Sequence, residues 1–315
     1  MKFAAWIGAF ALGAALGTVP ASAETRVTYK SAKSTSSYYQ MAVQLAEAMK
    51  QASDGEISVT VEESQGSVQN VMEAPRRKGA YVFTSPPGLV KAAINEKGPF
   101  EGKGNPGFAK IRALFPIPAL TMHFVVRADA GVTDFNGLEG KTILLGKGTF
   151  GAREGAKYLT LFGLEENVKT SDSELSNAVP ALKNGQIDGF VTAGSFPAPN
   201  VIEAAASMDV RVLSMTDDEI DMSKRTRLEI PAGTYKGQDE PVVTTALPVV
   251  AYTTSEMDDE TAYLLTKTYW ESKEALGKEA RWWNGVTEES LRNIEGKMHP
   301  GAVRYYKEKG WMKDE

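Results

Sequence analysis

The stretch Lys141-Thr-Ile-Leu-Leu-Gly-Lys-Gly-Thr-Phe-Gly151 decides how this chain is read. Thr142 to Leu145 has the apolar density of a buried strand, Gly146 to Gly151 reads as a tight loop, and Ala152 to Phe162 keeps a helical period. Strand, loop and helix in that order aim backbone N–H groups at an anion. Gly146, Gly148 and Gly151 also satisfy G-x-G-x-x-G, the dinucleotide fingerprint, in which glycine accepts positive φ and lets a phosphate come close. That fingerprint further asks for an acidic residue after the next strand, roughly 20 residues on. Asp172 and Glu174 stand near that distance, but Thr170 to Glu174 reads as a polar helix entry with no strand before it. The loop therefore suits an anion smaller than a dinucleotide.

The same alternation extends in both directions. Upstream, Val27 to Lys30, Glu56 to Glu62 and Ala80 to Thr84 read as strands, and a helix places Tyr38, Ala42, Leu45 and Met49 on one face. Ser85-Pro-Pro-Gly88 ends the third strand, because proline cannot donate to a central ladder. Ile111 to Phe115 and Phe124 to Arg127 read as two further strands. Downstream, Ile187 to Thr192 and Val210 to Met215 are strands, and helices begin near Ser173 and Pro199. Val242 to Thr253 is a long apolar run broken by Pro248 and reads as a return crossing. Strands alternating with helices predict an α/β fold with doubly wound, mainly parallel sheets. The pattern divides the chain into one lobe of residues 24–126 plus 242–315 and a second of residues 127–241, with a hinge near Arg127 and Val242.

Lys2, the apolar run Phe3 to Val19 and the A-x-A pattern Ala21-Ser22-Ala23 predict a secretory signal peptide over residues 1–23, with a mature start at Glu24 and a periplasmic destination. No later stretch is long and apolar enough to span a bilayer. The sequence of 315 residues contains no cysteine, which removes thiol chemistry and cysteine metal sites and leaves stability to the core. A formal charge of −5, one unit more negative without Lys2, gives no support for a nucleic-acid partner.

Four strand-to-helix turns share a polar, small-residue character: Ser34 to Ser37, Gln65 to Ser67, Gly146 to Gly151 and Gly194 to Pro197. In open α/β sheets such turns lie at the carboxyl ends of strands, where ligands bind. Facing lobes would point four helix N-termini, each carrying roughly half a positive charge, into one crevice suited to a carboxylate or phosphate.

Several motifs resemble the TAXI family of solute-binding proteins from TRAP transporters. They are Ser37-Tyr-Tyr39, Gly66-Ser-Val-Gln-Asn70, Leu138-Glu-Gly-Lys141, the glycine loop, Gly185-Gln-Ile-Asp-Gly189, Ile230-Pro-Ala-Gly-Thr-Tyr-Lys-Gly237, and His299-Pro-Gly-Ala302 with Tyr305-Tyr-Lys-Glu-Lys-Gly310. The likeness runs in order through nearly the whole mature chain. It implies a two-lobed periplasmic binding protein that closes on a small solute, a dicarboxylate or an acidic amino acid, and delivers it to a membrane subunit using an ion gradient without ATP. Carried over by position, the ligand-facing residues are Ser36, Ser37, Tyr39, Gly66, Ser67, Asn70, Thr84, Ser85, Thr149, Phe150, Gly151, Ala152 and Gly194. The chain departs from the family pattern at Ser34-Thr-Ser36, at Thr84-Ser85-Pro86 and at Phe150. Arg153, one step into the helix, is a further candidate for bidentate recognition of a carboxylate.

Enzymatic readings have little to build on. A hydrolase needs a nucleophile, a base and an orienting group, and only His123 and His299 offer imidazole. The first reads as structural and the second as a helix cap. There is no H-E-x-x-H and no G-x-S-x-G. No cofactor or metal is expected, and Asp217-Asp218 and Asp258-Asp259-Glu260 read as helix-start charges. Two alternatives stay open: an exported nucleotide-dependent oxidoreductase using the glycine loop, and a binding protein that serves an ABC transporter or a sensor kinase.

Overall fold

The computed structural model describes residues 24–313, so the expected signal peptide lies outside the described residues. The first part of the chain winds β1 (Thr25–Lys30), α1 (Ser37–Ala52), β2 (Ile57–Glu62), α2 (Ser67–Glu73), β3 (Tyr81–Ser85) and α3 (Pro87–Ile94). Tyr38, Met41, Ala42, Leu45 and Met49 recur at helical spacing along α1 and are all buried. Burying each large side chain of that face contributes about 1.5–3 kcal/mol. The helix starts where Ser36 accepts a hydrogen bond from the Tyr39 N–H.

The chain then makes β4 (Ile111–Arg127), a strand of 17 residues, where the sequence predicts two short ones. It continues through β5 (Thr142–Leu144), α4 (Phe150–Leu161), β6 (Lys169–Ser171), α5 (Ala178–Lys183), β7 (Gly189–Gly194), α6 (Pro199–Ser207), β8 (Val210–Val212), α7 (Asp217–Ser223) and β9 (Thr226–Ile230). It returns along β10 (Val242–Thr254) and finishes with α8 (Asp259–Glu271), α9 (Lys273–Glu279) and α10 (Pro300–Glu308).

Ten strands form one curled sheet in the order β2-β1-β3-β10-β4-β7-β5-β6, with β8 on β4 and β9 on β10. Pairing is parallel around β1 and around β5 and antiparallel wherever β4 or β10 takes part. The two long strands hold the lobes together. Ile111 to Thr121 of β4 pairs with β10, and Thr121 to Val126 pairs with β7 of the second lobe. Val242 to Ala246 of β10 pairs with β9, and Val250 to Tyr252 pairs with β3 of the first lobe.

Proline explains how one strand replaces two. Leu247 lies opposite Leu120 and Val249 opposite Ile117, so Pro118 and Ala119 face Pro248 alone, a bulge of two residues against one. A bulge is where a central ladder tolerates missing N–H donors. The carbonyls it exposes are taken up elsewhere: Tyr38 donates its hydroxyl hydrogen to Pro118 O at 3.0 Å, and Ser195 donates to Ala119 O at 2.6 Å. The crossing point is thereby tied to the first helix of one lobe and to the β7–α6 turn of the other.

Candidate binding site between the lobes

The two sets of parallel strands run in opposite directions along the sheet and end toward the bulge, β3 at Ser85 opposite Val250 and β7 at Gly194 opposite Thr121, so the turns that follow them meet. Ser37, buried, accepts a hydrogen bond from the Ser195 N–H at 3.0 Å across the crevice. Lys33 pairs with Glu174 at 3.3 Å, also between lobes, a half-exposed bridge that contributes about 0–1 kcal/mol. A Cβ built on Gly148 would stand 3.8 Å from Gln65 Oε1, which is buried and has no hydrogen-bond partner. The first turn thus meets the Gly194 turn, and the Gln65 turn meets the glycine loop.

Within the glycine loop, Gly146 and Gly148 hold φ of +84° and +76°, which L side chains avoid. Thr149 caps α4 by accepting from the Ala152 N–H at 3.0 Å while donating to Gly146 O at 2.7 Å. Gly151 lies so close to β7 that a Cβ would sit 3.1 Å from the Ala193 N. The structure also places β6 immediately before Asp172, where the sequence reading finds no strand; Lys169-Thr-Ser171 is too short and too exposed to alternate visibly. Strand, glycine loop, helix, strand and acid therefore do occur in the fingerprint's order. Yet the Asp172 carboxylate is exposed and accepts from Lys147 Nζ at 2.7 Å, and the Thr149 hydroxyl occupies an amide of the kind a pyrophosphate would need.

The family-derived residues serve different ends. Ser36 caps α1, and Tyr39 follows it, half-buried, in the first turn. Gly66 precedes α2 and Ser67 opens it. Asn70 is fully buried and donates to Ser31 O at 2.7 Å and Thr84 O at 3.1 Å, leaving its Oδ1 without a partner. Thr84 turns its hydroxyl inward to donate to Tyr29 Oη at 2.8 Å, away from the crevice. Ser85 is buried at the end of β3, one residue before the turn that opens α3. Gly194 backs directly onto Ser37, whose Oγ would lie 2.6 Å from an added Cβ.

Phe150 and Arg153, one helical turn apart on α4, line a cavity of about 370 Å³ between the lobes. Pro86, Pro87 and Leu89 form its wall on the first lobe, and Leu247 and Pro248 border it from β10. The Arg153 guanidinium stands 5.8 Å from the centre of the Phe150 ring. Among the described residues it has no ion pair or side-chain hydrogen bond, and burial lowers its pKa from the ordinary arginine value. The neighbouring charges are already matched. Arg225 donates to both carboxylate oxygens of Glu154 at 2.9 and 3.0 Å, and Glu295 pairs with Lys91 at 3.7 Å. Arg153 is the charged residue of the lining that has no ion pair among the described residues.

Sequence reasoning missed Arg225, which sits in a polar stretch without periodicity, and Leu247 and Pro248, which read only as a strand interruption. A second interlobe crevice, about 480 Å³, is bounded by Ala119, Ser195, Pro231, Arg281 and Trp282. None of the ligand-facing residues carried over from the family lines it. A further cavity of about 450 Å³ lies wholly on the second lobe, around Arg211 and Lys236. The Phe150–Arg153 cavity is the one that joins both lobes to the glycine-loop helix.

The imidazoles are structural in their contacts. His299 caps α10, accepting from the Gly301 N–H at Nδ1 while Nε2 meets Met257 O at 3.0 Å. His123 lies within β4, fully buried, with Nδ1 3.2 Å from Thr121 O and Nε2 2.8 Å from Tyr235 Oη. Tyr235 Oη also accepts from the Ala198 N–H at 2.9 Å, so the tyrosine donates to Nε2 and the ring is neutral. Burial pushes the His123 pKa down to about 4. Its unfolded value is about 6.5, so the unfolded chain binds the extra proton between those limits. The contribution of His123 to stability is therefore complete above about pH 6.5 and is lost as pH falls toward 4. Melting temperature measured across that window should fall less steeply for His123→Gln than for the parent; identical slopes would refute the assignment.

Among the described residues no group of three His, Asp or Glu side chains is placed to hold a metal ion. A family model described as the NMT1-like family matches residues 30–310. Among solved structures, the chain is similar to the periplasmic binding protein BugD, at 13% identity and a TM-score of 0.53, over 92% of this chain and 99% of that one. It is also similar to MatC from Rhodopseudomonas palustris with bound malate, at 11% identity and a TM-score of 0.57, over 91% and 97% of the two chains. A structure described as a periplasmic transporter matches at 13% identity and a TM-score of 0.53, over 92% and 95%. At these identities the likeness establishes the shared fold, the mixed α/β architecture of periplasmic binding proteins.

Proposed function

The chain belongs to the NMT1-like family, and from that premise we propose that it is an extracytoplasmic solute receptor that closes its two lobes over a small carboxylate and hands it to a membrane transporter. The observation that carries this reading is the unmatched Arg153 guanidinium, half-buried between lobes beside a cavity of about 370 Å³. A charge-assisted hydrogen bond contributes about 1.5–3 kcal/mol, and micromolar affinity requires about −8 kcal/mol. Arg153, a few donors and apolar burial are together of the right size. MatC, which shares the fold, has a carboxylate, malate, bound.

Closure needs a hinge, and we place it at the bulge of Pro118 and Ala119 against Pro248 instead of near Arg127 and Val242, where the sequence pattern puts it. Three ladder donors are missing near there, at Pro116, Pro118 and Pro248, so the strands bend at little cost in hydrogen bonds. The Ser37–Ser195 bond and the Lys33–Glu174 bridge exist only when the lobes are together. A solute that contacts both lobes then shifts the open–closed equilibrium by its differential affinity. Small-angle scattering of the mature protein should show a smaller radius of gyration at saturating solute; an unchanged radius would count against closure.

The resemblance to the TAXI family supports a TRAP-type membrane subunit as the partner. In vesicles containing that subunit, uptake should survive ATP depletion and collapse with the ion gradient. The opposite pattern would favour an ABC-type partner.

A further inference from the structure

The motif Ile230-Pro-Ala-Gly-Thr-Tyr-Lys-Gly237 takes no part in the Arg153 cavity. Its residues Pro231 to Thr234 instead line the second interlobe crevice, of about 480 Å³, together with Arg281 and Trp282 of the first lobe. The two cavities share no lining residue: this one meets the crossing strands at Pro118 and Ala119 of β4, the other at Leu247 and Pro248 of β10. We propose that the second crevice is a separate binding site for a small aryl carboxylate, a flat apolar ring system carrying one negative charge. Its walls come from both lobes, so it is complete only when they are together.

Carbon makes up most of the wall. Phe196, Pro197, Leu228 and Pro231 contribute it from the second lobe, and Pro118 and Trp282 from the first. The Trp282 indole is held by donating from Nε1 to Gln44 Oε1 at 3.2 Å, which fixes its ring as a wall. Several polar groups of the lining are engaged within the protein: Ser195 donates to Ala119 O, Thr234 donates to Pro231 O at 2.6 Å, and Pro118 O accepts from Tyr38. A cavity of this size with apolar and aromatic walls and few free polar groups suits a small, largely apolar ligand. Two aromatic side chains, Phe196 and Trp282, favour a ring through offset or edge-on contacts. Of the described residues that line the crevice, Arg281 alone is charged. It has no ion pair or hydrogen bond among the described residues, and Glu279, which shares a neighbouring crevice with it, is not paired to it. Its planar guanidinium can meet both oxygens of a carboxylate.

Calorimetry on the mature protein with 1-naphthoate and with 1-naphthamide, its uncharged counterpart, tests this. The acid should bind about threefold or more tightly than the amide, a modest preference because Arg281 is exposed. Arg281→Gln, which strands no charged partner, should remove that preference, and Arg153→Ala should leave it in place. Absence of 1-naphthoate binding, a smaller preference in the parent, or a preference that survives Arg281→Gln overturns the second site. So does a preference that disappears in Arg153→Ala, which would assign the acid to the Arg153 cavity and leave the receptor reading standing.

Discussion

Arg153→Ala is expected to raise the dissociation constant for the carboxylate solute about 10- to 100-fold, the equivalent of about 1.5–3 kcal/mol. The guanidinium is the cation of the cavity that has no ion pair among the described residues, whereas Arg225 is paired with Glu154. The substitution should leave the fold intact, because Arg153 has no ion pair or side-chain hydrogen bond among the described residues and its truncation strands no charged partner. Its melting temperature without solute should therefore match the parent closely. Arg153→Lys should fall between the two, keeping the charge but losing the planar fork that meets both carboxylate oxygens. Titration calorimetry of the three proteins reads the effect. An unchanged constant in Arg153→Ala would return the side chain to the role of a solvated helix residue and remove the main support for the site.

The fold was legible where local pattern and tertiary burial agree. Tyr38, Ala42, Leu45 and Met49 announce the buried face of α1, and the same four are in the core. The glycine loop announces a strand-to-helix turn, and the structure supplies both elements with Thr149 as the cap. It failed where a long-range contact decides. Pro116 and Pro118 look like strand breakers because what accommodates them comes from β10, far later in the chain: Val250 pairs with Pro116, and Pro118 falls in the bulge against Pro248. The three residues of β6 carry too little apolar patterning to stand out, and only pairing with β5 makes them a strand.

The site was less legible than the fold for a related reason. A motif names positions but not rotamers, and Thr84 shows the difference: the loop is in place, yet its hydroxyl is turned to Tyr29. Ser37 meets Ser195 across 158 residues, and Glu154 meets Arg225 across 71. Without that second pairing on view, Arg153, Glu154 and Arg225 read as three surface charges. With it, two cancel and one is left over the cavity, which is what gives Arg153 its meaning.

Gly301→Ala is expected to cost more stability than any change at the crevice. The tail motif His299-Pro-Gly-Ala302 starts α10 with a capping imidazole, a proline in the first turn and two small residues against α8. At Gly301 the two helices come so close that a Cβ would stand 2.1 Å from Asp259 O and 2.7 Å from the Tyr263 N. Both are backbone atoms and cannot rotate away, so α10 must move. That movement disturbs the His299 contacts to Met257 and Gly301, the Tyr263–Tyr305 edge contact at 6.1 Å, and the Tyr306 hydroxyl that donates to Leu114 O at 2.6 Å. Overpacking of this kind costs about 1–3 kcal/mol, and more where backbone must shift. In a chain of this size each kcal/mol lowers the melting temperature by about 2–4 °C, so a fall of about 5–10 °C is expected by calorimetry. None of α10 lines the Arg153 cavity, so the solute's dissociation constant, measured well below the new melting temperature, should be unchanged. A melting temperature equal to the parent's would mean that the helices do not approach at Gly301, and the small residues of the tail motif would then need another explanation.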